Sequence, residues 1–354
     1  MNVVYTCDNN FVWIMGISMI SLFENNRDMQ HLDVYLLGDN ISEDNKTVLA
    51  DMAQKYNRTC HIIDVPDLDI PRSLTSSRWP KSAFTRMFSG ELMPHDIHKI
   101  LYLDCDIIVK GSIAGLMDFD TQDYAVSAVK DCVSTQYKKK IGIAKEDSYV
   151  NAGVLLMNLD KMRKLDIRRM MAAFVESHLG LISYADQDIL NGIFEGKFGV
   201  LPPEYDVMTQ MCVYSYRQIQ QYRRPSFYYS KEEIEYAQQT PIIIHYTTCM
   251  LNIRPWCKNS KHPWASEFDK YQAMSPWARI PKKEVRFDKL EHKIIKGIFM
   301  LPDFLSYRLI GLLHATIRPT IIMMKSSCKQ KAKVDCVGVT SRQEMHSPNS
   351  GGGK

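Results

Sequence analysis

Short runs of apolar, β-branched and aromatic residues recur along the first two hundred positions. They lie at 2–6, 33–37, 60–64, 99–103, 107–109, 124–129 and 153–158. Runs of this length bounded by polar turns read as strands. Between them the apolar positions fall into a helical period, near 13–23, 43–56 and 82–92. Strands alternating with such helices predict βαβ units, hence an open, mainly parallel α/β sheet flanked by helices. From about Leu201 the texture turns rich in Pro, Tyr and Gln, until a last short strand at 241–244 runs into His245.

The run 99–109, KILYLDCDIIV, interrupts its apolar pattern with two carboxylates two residues apart. In an extended chain, positions i and i+2 face the same side. Asp104 and Asp106 would then converge where a buried strand ends, a costly arrangement unless a cation lies between them. Asp-x-Asp is also common in solvated loops and turn caps; the apolar flanks favour the cation. Oxygen ligands suit Mg²⁺ or Mn²⁺, whose natural partner is a diphosphate. Ligands of open α/β sheets bind outside the carboxyl ends of the strands, so Asp8, after the first strand, is expected on the same rim. His245, after its own strand, can be a third ligand or a core histidine on a backbone carbonyl. No G-x-G-x-x-G follows the first strand and no G-x-x-x-x-G-K-[ST] occurs, so a bound nucleotide would be held through metal. His95 and His98 sit in a loop after Pro94 and are not read as ligands.

Composition adds three constraints. The nine cysteines are odd in number, scattered and without a Cys-x-x-Cys pair, which points to free thiols in a reducing cytoplasm. No secretory pattern opens the chain: strand character begins at residue 2 and the first basic residue is Arg27. Charge is unevenly divided. Positions 281–354 hold 14 Lys and Arg against 6 Asp and Glu, a balance of +8, so the first 280 residues carry −4 of the chain's +4.

That basic tail lacks the aromatic interleaving of a nucleic-acid binder. Across 285–324 it alternates apolar clusters with Lys296, Asp303, Arg308 and Arg318, so every apolar run stays well below the ~18 residues of a membrane span. Such segments can lie on an anionic membrane surface or pack as helices on the body. The expected organisation is a catalytic domain over 1–280, a basic amphipathic helical tail over 281–325 and a disordered end over 326–354. The expected location is cytoplasmic, peripheral on the inner membrane face.

Six motifs in order resemble glycosyltransferase family 8, especially its bacterial lipopolysaccharide glucosyl- and galactosyltransferases. They are the stretch 3–11 (VVYTCDNNF), 82–87 (SAFTRM), 101–106 (LYLDCD), 151–154 (NAGV), 186–191 (DQDILN), and His245-Tyr246 followed by Arg254-Pro255-Trp256. The resemblance covers roughly 1–270. It implies retaining transfer of glucose or galactose from UDP-hexose to a hydroxyl of a glycan or lipid-linked saccharide.

The resemblance also implies a set of residue roles. Thr6, Asp8, Asn10 and Phe11 would wrap uridine. Asp104, Asp106 and His245 would hold Mn²⁺ or Mg²⁺, with Cys105 beside the donor. Arg86 would clamp donor hydroxyls or phosphate, and Asn151, Gly153, Asp186 and Gln187 would line the sugar pocket. Gln187 stands at the family's amide beside the anomeric carbon, and Asp131 near both donor and acceptor. Retention by double displacement needs a carboxylate there, so front-face transfer is the simpler reading of an amide, with Asp188 supporting its neighbours. The chain departs from the family pattern at 247–253, which is longer and lacks glycine, and at Arg254, where lysine is usual. A catalytically silent UDP-sugar-binding scaffold and a peripheral membrane module are the competing readings.

Overall fold

The computed structural model describes residues 1–68, 70, 74, 80–285 and 289–327. Among the described residues, ten strands make two sheets. The strands are β1 (Asn2–Asp8), β2 (Asp33–Asp39), β3 (Cys60–Asp64), β4 (Lys99–Leu103), β5 (Ile107–Val109), β6 (Val126–Lys130), β7 (Val150–Asn158), β8 (Gly199–Val200), β9 (Val207–Met208) and β10 (Ile243–His245). Seven form the main sheet in the order β3-β2-β1-β4-β7-β6-β8. Its pairs are parallel except where β7 runs antiparallel to β4 and β6. The open, mainly parallel α/β sheet is therefore present.

Alternation along β1 sends Val3, Tyr5 and Cys7 into one core layer and Val4 into the other. The helix Val12–Glu24 fills the first layer and is buried along nearly its whole length, as a helix apolar all round must be. Each of its large side chains contributes roughly 1.5–3 kcal/mol through burial. The second layer takes Phe84, Met87 and Phe88. They come from the segment expected as one helix over 82–92, which is broken into Ser82–Thr85, a 3₁₀ turn Arg86–Phe88 and Ser89–Leu92.

Two of the expected strands, at 107–109 and 241–244, stand apart from the main sheet: β5 and β10 form a second, three-stranded sheet with β9, in the order β5-β10-β9. Of its three strands β9 alone, two residues long, leaves no mark in the hydrophobic pattern. β10 pairs antiparallel with β5, placing His245 opposite Ile107, and parallel with β9. At the end of the apolar helix, Asn25 Nδ2 donates to the Val109 carbonyl at 2.9 Å, and Asn26 Oδ1 accepts from the Ile113 N–H at 2.8 Å. These bonds fasten the small sheet to the main core.

The tail holds the helix Leu290–Ile298, then Asp303–Gly311, which continues through a π-helical turn Leu312–Ile317 and on to residue 327. Its second part packs on the body. Ile310 and Ala315 are buried, the Ser134 hydroxyl donates to the Ala315 carbonyl at 2.6 Å, and Arg223 donates to His314 Nε2 at 3.0 Å. Gly311 lies so close to the Gln221 carbonyl that any Cβ would overlap it. Of the segment 326–354 expected to be disordered, positions 328–354 lie outside the described residues.

Candidate metal and donor site

The chain leaves the main sheet at Leu103 and enters the small one at Ile107, so Asp104-Cys105-Asp106 is the crossing between sheets. The two acids meet through this turn; the strand does not continue, and the i, i+2 alternation of an extended chain is not what aligns them. Asp104 N–H donates to the Gly153 carbonyl at 2.8 Å and Tyr246 N–H to the Asp106 carbonyl at 2.9 Å. The crossing is thereby tied to β7 on one side and to β10 on the other. His245, the last residue of β10, points Nε2 at both acids, 3.2 Å from Asp106 Oδ1 and 3.8 Å from Asp104 Oδ2. One ligand atom from each of the three lies within 4.8 Å of the others.

Gly153 makes room for this imidazole, since a Cβ there would overlap His245 Cε1. The other ring nitrogen, Nδ1, faces the buried Asp206 carboxylate at 2.9 Å. The histidine is therefore buried, as one reading of the sequence expected, but its partner is a carboxylate and not a backbone carbonyl. Two carboxylates and an outward-facing imidazole nitrogen fit a divalent cation.

Arginines pair with the acids of the cleft. Arg86 Nη2 lies 2.8 Å from Asp104 Oδ1 and its Nε 3.1 Å from Asp186 Oδ2. Its guanidinium stacks over the Tyr102 ring, 4.5 Å from the centroid. Arg254 Nη2 lies 2.9 Å from Asp106 Oδ2. Burial works against ionising Asp106, but Arg254 and His245 hold its carboxyl below the usual range. Burial works against charging His245 as well, yet Asp206 and Asp106 hold the imidazole well above its ordinary value. For Asp186 burial wins over Arg86, and its carboxyl is pushed up to about 6. The Arg254 Nε is buried with no acceptor among the described residues.

Two lobes of one cleft meet at Arg86, Asp104, Asp106 and Arg254. The smaller, about 230 Å³, is lined by Thr6, Asp8 and Phe11, expected around the nucleoside, and by Cys105, expected beside the donor. Asn10 stands exposed beside it, its backbone N–H donating to Asp8 Oδ1 at 2.9 Å. The larger, about 310 Å³, brings together Asp131, Asn151, Gly153, Asp186, Gln187 and His245.

Gln187 is fixed on every polar position. Its Nε2 donates to Asp131 Oδ2 at 3.0 Å and to the Tyr149 hydroxyl at 3.2 Å. Its Oε1 accepts from Asn151 Nδ2 at 3.0 Å and from the Ala152 N–H at 3.3 Å. Because the Asp131 carboxylate accepts only, the amide has a single orientation. Asp188 is fully buried. It accepts from the hydroxyls of Tyr137 (3.0 Å) and Tyr149 (2.7 Å) and from the N–H groups of Ser183 (2.6 Å) and Tyr184 (2.9 Å). That is the supporting role expected of it.

A search against family models matches residues 2–260 to Glycosyl transferase family 8. The chain belongs to this family. As a glycosyltransferase it is similar to the lipopolysaccharide 1,2-glucosyltransferase of Escherichia coli, 28% identical over 298 residues that cover 82% of this chain and 83% of that protein. It is also similar to General stress protein A of Bacillus subtilis (strain 168), 25% identical over 283 residues, 79% of this chain and 96% of that one. Among solved structures it is similar to galactosyltransferase LgtC in complex with donor and acceptor sugar analogs. The TM-score is 0.66 at 26% identity, over 78% of this chain and 96% of that chain. The match to LgtC is one of α/β fold.

Several residues of this glycosyltransferase site escaped sequence reasoning: Tyr149, Asp206, Gln210 and Arg223. Tyr149 immediately precedes β7 and packs in the same layer as Val150 and Ala152. Gln210 donates to Asp131 Oδ1 at 3.2 Å and Arg223 lies 3.7 Å from the same oxygen. Both come from the Tyr- and Gln-rich region, where no local pattern marks them.

Proposed function

We propose that this glycosyltransferase transfers glucose or galactose from a UDP-hexose to a glycan hydroxyl, with retention at the anomeric carbon. The single observation that carries the reading is convergence. Asp104, Asp106 and His245 face one point at the junction of the two lobes, and the locked Gln187–Asp131 pair lines the larger lobe. Asp104, Asp106 and His245 would hold Mn²⁺ or Mg²⁺, which when bound supplies Lewis-acid neutralisation of a departing diphosphate.

The side chains divide the remaining work. Thr6, Asp8, Phe11 and Cys105 line the lobe for uridine. Arg254 and Arg86, which line both lobes, offer guanidinium donors to phosphate or sugar oxygens. Asp186, paired to Arg86, and Asn151 line the hexose side. Gln187 presents a neutral amide, which cannot act as the carboxylate of a double displacement. Asp188 is saturated by four donors and withdrawn from the cleft. Front-face transfer satisfies these constraints: the bond from the anomeric carbon to the diphosphate oxygen breaks, the bond to the acceptor oxygen forms on the same face, and the acceptor proton passes to the leaving diphosphate. Asp131, at the edge of both subsites, orients Gln187 and can accept from an acceptor hydroxyl.

The resemblance to lipopolysaccharide glucosyltransferases supports an acceptor in cell-surface glycan assembly, free or lipid-linked. The tail supports a location beside an anionic membrane. Leu290, Ile294, Met300, Phe304, Leu305 and Leu312 are exposed near Lys289, Lys293 and Arg308, and no described helix is long and apolar enough to cross a membrane. Such a surface lies on a bilayer without spanning it. Calorimetric titration with UDP, with and without Mn²⁺, tests the donor assignment. Binding strengthened by Mn²⁺ is expected, and no binding in either condition would favour the membrane-module reading.

A further inference from the structure

We propose that Asp206 is a positioning residue for His245: it holds the proton-bearing Nδ1 so that Nε2 alone is presented to the cation. The proposal rests on the reading of Asp104, Asp106 and His245 as a metal site and deepens it by one residue.

Three observations carry it. Asp206 is completely buried, and the only hydrogen-bond partner of its carboxylate among the described residues is His245 Nδ1 at 2.9 Å; its Oδ2 has none. A buried carboxylate with one oxygen unsatisfied is costly, so its retention in this fold calls for a use. Second, the backbone is built to deliver it. The 3₁₀ turn Pro203–Tyr205 leads into Asp206, and the two-residue β9 then pairs with β10 as Ile244↔Val207 and His245↔Met208. This minimal pairing sets Asp206 and the histidine side by side. Third, Gly153 lies against the Cε1–Nδ1 edge of the imidazole, where any Cβ would overlap the ring. Set against Asp206 and Gly153, the ring turns Nε2 toward Asp104 and Asp106.

Metal-bound histidines commonly donate their second N–H to a carboxylate, which sets tautomer and ring angle, and loss of that partner lowers metal affinity ~10–100-fold. An isolated structural role for Asp206 predicts no such change. The two are separable with the full-length protein and Mn²⁺ as probe, following free Mn²⁺ by electron paramagnetic resonance at saturating UDP. Asp206→Asn, nearly isosteric, and Asp206→Ala should each weaken Mn²⁺ binding ~10–100-fold while circular dichroism stays that of the wild type. In the Mg²⁺-loaded wild type, ¹⁵N correlation spectra should show His245 protonated at Nδ1 and bare at Nε2. Wild-type Mn²⁺ affinity in Asp206→Asn, or a proton on Nε2 in the Mg²⁺-loaded protein, would overturn the inference alone. Failure of the wild type to bind Mn²⁺ would overturn the metal reading and this inference with it.

Discussion

Arg254 reaches Asp106 with its guanidinium, Nη2 to Oδ2 at 2.9 Å. The 247–253 stretch thereby brings a cation to a carboxylate of the candidate metal site. The arginine's planar fork presents several donors in a fixed geometry, as a lysine ammonium does not.

Removing that cation should weaken the donor site directly. Arg254→Ala is expected to lower UDP affinity about 10-fold in the presence of Mn²⁺, the loss of one charge-assisted hydrogen bond. Arg254→Lys should fall between the two. Isothermal titration with UDP measures all three proteins, and an unchanged affinity in the alanine variant would remove Arg254 from the site.

Gly153 is predicted to be intolerant for a reason specific to the metal. In Gly153→Ala the new Cβ would strike the His245 ring and the Asn151 carboxamide oxygen. A stability loss of roughly 1–3 kcal/mol is expected from overpacking. The metal should suffer more than the fold, so Mn²⁺ binding by the still-folded variant should be reduced well beyond 10-fold. Thermal unfolding and Mn²⁺ titration on one sample compare the two effects.

Asp186 makes stability depend on pH in a defined direction. Its carboxyl is pushed up to about 6 by burial, opposed by Arg86, whereas an unfolded aspartate titrates near ~3.9. The native state thus holds the proton more tightly, and its contribution is greatest below the unfolded value and is lost as pH rises through 6. Between pH 5 and 7.5 the stability of the wild type relative to Asp186→Asn should fall by about 1 kcal/mol. Urea unfolding of both proteins at the two pH values checks it; a difference that does not change with pH would show that Asp186 titrates normally.

Tyr149 bridges Gln187 and Asp188 with one hydroxyl. Tyr149→Phe leaves the buried Asp188 with one donor fewer and frees one side of the Gln187 amide. A destabilisation of about 1–3 kcal/mol follows from the lost buried partner, together with slower sugar transfer. The rate effect should appear in turnover more than in UDP affinity, because the lobe lined by Thr6, Asp8 and Phe11 is untouched.

The sequence and the structure agree most closely where local pattern and chemistry coincide. The apolar runs around Asp104 and Asp106 identified both the strands and the acids, although the pair is aligned by a crossing turn between two sheets and not by strand alternation. Arg86, Asn151, Asp186 and Gln187 were found through family motifs, and they gather in one cleft. Asp206 could not be read in this way. It is 39 positions from its partner His245, and β9, which places it, has two residues. Contacts made by short strands paired across long separations leave no periodic trace. The tail illustrates a different limit: its alternation of apolar and charged positions left a membrane surface and packing on the body both open, and nothing local marked that His314 would meet Arg223.

The most direct test of the central reading is Mn²⁺-dependent release of UDP from UDP-glucose and UDP-galactose by the purified protein, beside Asp106→Asn. Slow release that requires Mn²⁺, favours one of the two donors and is lost in the variant is predicted. Release that is indifferent to Mn²⁺ and to Asp106, or a complete lack of release with no UDP binding, would contradict it.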